Sequence, residues 1–171
     1  MIKIRSESPD DYTQISDVIY CTFEQKNEVH LVETLRFSPD FISELSLVAV
    51  LNNLIVGYIL FSKIVIKSEK TTTPALALAP LAVLPEYQNQ GIGSQLVEKG
   101  LKECKHLNYN IVNVLGHPNF YPKFGFKPAR KFGIVAPFEV PDEAFLILEL
   151  IPGTLNGISG TVEYPPAFDD I

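Results

Sequence analysis

"LAVLPEYQNQGIGSQLV", from Leu81 to Val97, is the stretch on which the fold turns. It begins as an apolar run suited to a buried strand and breaks at Leu84-Pro85. It then passes through Gln88-Asn89-Gln90 and sets Gly91 and Gly93 at the head of an amphipathic segment. A tight strand-to-helix turn needs one glycine; two at this spacing open the backbone of a helix start to close approach. The first turn of a helix has N–H groups without intrahelical partners and a partial positive charge, so it holds phosphate without a lysine. Gly91 can adopt positive φ and Gly93 carries no Cβ, which together admit an anion to the main chain. Close helix–strand packing explains a lone G-x-G equally well. The chain has no G-x-x-x-x-G-K-S/T loop, and no third glycine and downstream acid of a dinucleotide fingerprint.

Working outward, the periodicities alternate between the two kinds of element. "MIKIRSE" is a first strand. Ser8-Pro9-Asp10-Asp11 starts a helix, with Ser8 as the cap and Tyr12, Ile15, Val18 and Ile19 on its apolar face. "EVHLVETLRF" is a second helix, and "LSLVAVL" and "LIVGYILFSKIVIK" form a hairpin about Asn52-Asn53. "SEKTTTP" is a polar loop before "ALALAPLAVL", a strand that Pro80 interrupts, because proline gives a ladder no N–H. Ile92, Leu96, Val97, Gly100, Leu101 and Cys104 repeat at helical spacing. "NIVNVLG" is a strand, "HPNFYPKFGF" a compact turn and "AFLILEL" a last strong strand. The order β-α-α-β-β-β-α-β-(short α)-β is mixed α/β and not purely parallel. The expected organisation is one domain over 1–152 with an extension over 153–171 packed on it through Leu155, Ile158, Val162, Tyr164 and Phe168.

Composition narrows the function. The chain has 171 residues, 46% apolar and 20% charged, with a net charge of −6. No Lys or Arg follows Lys131, whereas Glu139, Asp142, Glu143, Glu149, Glu163, Asp169 and Asp170 do. This disfavours nucleic acid and suits a neutral or cationic small partner. No apolar run approaches the roughly 20 residues of a membrane span, and "MIKIR" is no signal peptide. Cys21 and Cys104 stand apart, without metal-ligand spacing or a disulfide framework, so a cytoplasmic protein without a metal is expected.

"VLPEYQNQGIGSQLV" resembles the acyl-CoA-binding motif of the GNAT N-acetyltransferase superfamily: Gln or Arg, two residues, Gly, one residue, Gly or Ala. The match falls on Gln88, Gly91 and Gly93. "YPKFGF", from Tyr121 to Phe126, matches that family's Tyr-x-x-x-Gly-Phe. "LGHPNFYPKFGF", "PFEVPDEAFLILEL" and "SGTVEYPPAF" are similar to a bacterial YhbS-type branch of it. The resemblance implies a mostly antiparallel sheet with a splayed parallel strand pair, flanked by helices, and transfer of an acetyl group from acetyl-CoA, as co-substrate, to a primary amine. It implies that main-chain groups of Leu81, Ala82 and Val83 bond pantetheine, and that Asn89, Gln90, Gly91, Ile92, Gly93 and Ser94 hold the pyrophosphate, with Gln88 assisting. Tyr121 takes the position of the proton donor to the departing thiolate; packing beneath the turn is its other reading. The strand before the glycines lacks the glutamate that many members use as a base. His117 is then the candidate base, against a side chain merely bonded to a nearby carbonyl and a proton lost through ordered water. The rival to an enzyme is a catalytically idle acyl-CoA sensor or interaction module. The acceptor amine stays open, and the final strand offers a route to a homodimer.

Overall fold

A computed structural model of the chain describes residues 1–169; Asp170 and Ile171, which close the 153–171 extension, lie outside the described residues. Two compact units are distinguished. One comprises Met1–Ser62, Ala79–Glu103 and the chain from Pro166; the other comprises 63–78 and 104–165.

In the first unit, β1 (Lys3–Ser6) pairs antiparallel with β2 (Ser46–Leu51), and β2 with the first part of β3 (Leu54–Lys67). Asn52 and Asn53 turn that hairpin at φ of 50° and 65°, the left-handed pair such a two-residue turn demands. Helices α1 (Tyr12–Phe23) and α2 (Asn27–Arg36) bury Ile15, Val18, Ile19, Leu31, Val32 and Leu35 against Val48, Ile55, Tyr58 and Leu60. Two pairs of polar groups are drawn into this core. Tyr58 and Ser46 share a 2.6 Å hydroxyl hydrogen bond, and Arg36 makes a two-pronged bond to Glu7 at 2.9 Å on each arm. The first helix starts as expected, with Ser8 at the N-cap of a capping box: the Asp11 carboxylate accepts the Ser8 N–H at 2.8 Å and is itself clamped by Arg5.

In the second unit, the first part of β4 (Thr72–Val83) runs parallel to β5 (Ile111–Leu115) through Leu76–Val112 and Ala77–Asn113. β5 pairs antiparallel with β8 (Phe145–Glu149), which also carries β6 (Lys127–Pro128). The final strand, β9 (Gly160–Glu163), joins the last part of β3 antiparallel and β7 (Ile134–Val135) parallel. The architecture is thus mixed α/β, mostly antiparallel with the parallel β4–β5 pair and flanked by helices.

Two points correct the sequence reading and one agrees with it. The loop before β4 is only 68–71, because the Ser68 N–H donates to the Thr71 carbonyl and closes a tight turn that frees Thr72 and Thr73 for the strand. The interruption expected at Pro80 is present: β4 continues to Val83, but its ladder to β5 stops at Ala77 while β5 goes on to Leu115. The strands β6, β7 and β9 add to the predicted order. β9 lies in the extension, where Gly160 (φ 134°) passes so near the Lys67 carbonyl that a Cβ would come closer than 3.0 Å to it.

Candidate active site

The glycine loop folds as its chemistry requires. Leu84-Pro85 leaves the strand, a 3-10 turn occupies Pro85–Tyr87, and Asn89 and Gly91 take φ of 63° and 84°. The left-handed step at Gly91 re-aims the chain into α3 (Ile92–His106), whose first bond runs from the Gln95 N–H to the Gly91 carbonyl. The N–H groups of Ile92, Gly93 and Ser94 precede that bond and have no helix carbonyl to donate to. A Cβ built on Gly91 would have nothing within 4 Å, so the space beside the loop is open. Ile92 is buried and anchors the helix start, Gly93 and Ser94 are half-buried, and Asn89, Gln90 and Gly91 are exposed.

The amide side chains serve the loop itself. Gln88 Nε2 donates to the Val83 carbonyl at 2.9 Å, which also accepts the Thr22 hydroxyl at 3.1 Å; Gln90 Nε2 donates to the Glu86 carbonyl at 3.4 Å. The Val83 carbonyl, expected to stand unpaired for pantetheine, is therefore occupied from within the protein. Gln88 is the brace that fixes the strand's exit. Leu81 is half-buried, and Ala82 and Val83 are buried.

Tyr121 begins a 3-10 turn at Tyr121–Phe124 and is buried at 7% exposure. Phe120 and Phe126 meet its ring edge-on at 5.0 and 5.6 Å. Gly116, at the end of β5, lies under the ring: a Cβ there would come closer than 3.0 Å to two of its carbons. The glycine is thus what lets the tyrosine lie across the strand end. Burial pushes the phenol pKa above its usual value, so it keeps its proton throughout the neutral range. His117 is exposed, and its main-chain carbonyl accepts the Phe120 and Tyr121 N–H groups at 3.1 and 3.4 Å, so its backbone holds the turn that presents Tyr121.

Asn113 and Tyr164 were not among the expected site residues. Asn113 is fully buried at the last rung of the β4–β5 ladder. Its Nδ2 donates to the Leu146 carbonyl at 2.9 Å, and its Oδ1 accepts the Tyr164 hydroxyl at 2.5 Å. An asparagine set between the valines of "NIVNVLG" was the available signal, but its partner lies 51 residues on. Burial raises the Tyr164 pKa as well. Among the described residues no three His, Cys, Asp or Glu stand together as a metal site, and no helix is long and apolar enough to cross a membrane.

A mostly antiparallel sheet with the short parallel β4–β5 pair, and a glycine-opened helix start directly after β4, is the architecture of an acyl-CoA-type transferase fold. The acetyltransferase (GNAT) domain family model matches residues 43–128. Along 97% of its length the chain is 34% identical to the uncharacterized N-acetyltransferase YhbS of Escherichia coli K12, covering 98% of that protein. Identity to the uncharacterized N-acetyltransferase YjhQ of the same organism is 37%, over 78% of this chain and 74% of that one. The crystal structure of E. coli YhbS in complex with CoA superposes with a TM-score of 0.90 at 33% identity, covering 98% of this chain and 91% of that one. A Brucella melitensis GNAT acetyltransferase in complex with acetyl-CoA gives a TM-score of 0.80 at 28% identity, over 99% of both chains. The chain belongs to the GNAT acetyltransferase family.

Proposed function

We propose that the protein is an N-acetyltransferase that binds acetyl-CoA and transfers its acetyl group directly to a primary amine. The observation that carries this is the near-complete likeness to a CoA-bound GNAT enzyme, at a TM-score of 0.90. The open space and unpartnered amides at the head of α3 suit a pyrophosphate, which supports the same reading.

When bound, acetyl-CoA supplies an activated acyl carbon and a thiolate leaving group. The chain's own residues do the rest. The N–H groups of Ile92, Gly93 and Ser94 hold the pyrophosphate, with Asn89, Gln90 and Gly91 shaping the loop. Main-chain groups of Leu81 and Ala82 orient pantetheine, while Gln88 acts from behind through Val83. An acceptor ammonium first loses one proton to solvent or to His117. The amine lone pair then bonds the acyl carbon, the C–S bond breaks, and the amine's second proton balances the one taken up by sulfur. Tyr121 donates to that sulfur. A phenol at its reference value of about 10 is already a weaker acid than a thiol at about 8.5, and burial widens the gap, so its service is a hydrogen bond to developing negative charge more than early proton release.

The test is a calorimetric titration with acetyl-CoA of the wild type and of Gly93→Glu, whose carboxylate would meet the pyrophosphate. Saturable micromolar binding by the wild type, lost in a variant that keeps its helical signal, is the expected result. A folded wild type that takes up no acetyl-CoA ends the proposal. Binding without CoA release across an amine panel would make the protein a sensor.

A further inference from the structure

Within the second unit a half-open cavity of about 270 Å³ is bordered by the segment 130–145. Its apolar wall is Ile134, Val135, Phe138 and Phe145, and its charged rim is Arg130, Glu139 and Asp142. Phe138 is 46% exposed yet fixed: Phe145 meets it edge-on and Tyr164 stacks on it at 14°, both at 6.2 Å. The rim is not neutral. Arg130 Nε lies 3.8 Å from Asp142 Oδ2, which leaves Glu139 as a carboxylate with no ion pair among the described residues.

The cavity adjoins the strand end that carries Tyr121. Phe145 pairs with Leu115 on β5, and the Gly116 N–H donates to the Ala144 carbonyl at 2.9 Å. Tyr121 lies across that same Gly116. Tyr164, whose ring forms the back of Phe138, reaches Asn113 with its hydroxyl.

We propose that this cavity is the acceptor pocket and that it takes a small amphipathic amine, an aromatic or branched apolar body with a single ammonium. The assignment rests on the N-acetyltransferase reading and names its substrate class. Phe138, the exposed apolar ring of the lining, rewards contact with a hydrocarbon body, and its open face with the unpaired Glu139 attracts a cation. The volume lies near the low end of the roughly 300–1,000 Å³ typical of small-molecule sites, too small for a polycationic antibiotic.

The experiment uses 2-phenylethylamine as probe, with ethanolamine, glucosamine and a short lysine peptide as competitors. Binding is read first without CoA, from amide resonance shifts, and turnover second, from CoA release. Shifts confined to 134–145, and the highest kcat/KM for 2-phenylethylamine, are expected. Phe138→Ala lowers that kcat/KM by about tenfold, and Glu139→Gln raises the amine KM by about threefold, an effect that fades in high salt; neither alters acetyl-CoA affinity. Absence of shifts at the pocket, or preference for any competitor with Phe138→Ala neutral, overturns the assignment. Because the binding arm needs no CoA, its failure is separate from a failure to bind acetyl-CoA.

Discussion

Tyr121 illustrates how one side chain's role depends on its surroundings. Its ring is held by Phe120, Phe126 and the bare α-carbon of Gly116, and only its hydroxyl is left for chemistry. Tyr121→Phe keeps the packing and removes the donor. Turnover should fall by about a hundredfold, at the low end of general acid effects, with acetyl-CoA affinity unchanged in the same titration. Undiminished turnover would leave the ring as packing alone. The raised pKa adds a sign: no loss of rate from phenol ionisation is expected below about pH 10, so an alkaline limb that Tyr121→Phe abolishes below that value would contradict the assignment. The sequence disclosed Tyr121 and the two glycines because each sits in a short local pattern. It concealed what Gln88 does and why Asn113 is buried, since those depend on a carbonyl five residues away and on a hydroxyl beyond the last strong strand.

At the scale of elements, legibility followed length and self-sufficiency. α1, α2 and α3 and the strands β2, β3, β5 and β8 each contain enough periodic apolar residues to declare themselves. β6, β7 and β9 are only two to four residues long; their partners are far along the chain and create them. α3 carries a prediction that opposes propensity to packing. Gly100→Ala gains about 1 kcal/mol of helix propensity. Yet a Cβ there would come closer than 3.0 Å to two ring carbons of Phe61, which is fully buried on β3 and has no room to yield. Overpacking of this kind costs about 1–3 kcal/mol, so the clash wins and urea denaturation should show a net loss of about 1 kcal/mol. A stabilised variant would mean that Phe61 moves more freely than its burial implies.

For the molecule as a whole, two depressed carboxyls contribute to the acid dependence of stability. The Arg5 guanidinium beside Asp11 holds its pKa below the usual range, and the Leu155 and Gly153 N–H groups do the same for Glu149. A carboxyl whose folded pKa lies below its unfolded value stabilises fully above the unfolded value, near 4, and loses that contribution as pH falls through the folded one. The melting temperature of Glu149→Gln should therefore trail the wild type above about pH 5, and the gap should close on acidification below about pH 4. A gap that widened with acid would reverse the assignment.

Of the two thiols, Cys21 is exposed on α1 whereas Cys104 is buried in the last turn of α3. The native chain thus has one handle for an alkylating reagent and the unfolded chain has two. Intact mass should advance by a single adduct in minutes; a second, arriving only as the end of α3 opens, turns simple counting into a clock for that opening. Acetyl-CoA that tightens the helix from its head would slow the second adduct and leave the first untouched. A spectroscopic label on Cys21 would need no engineering.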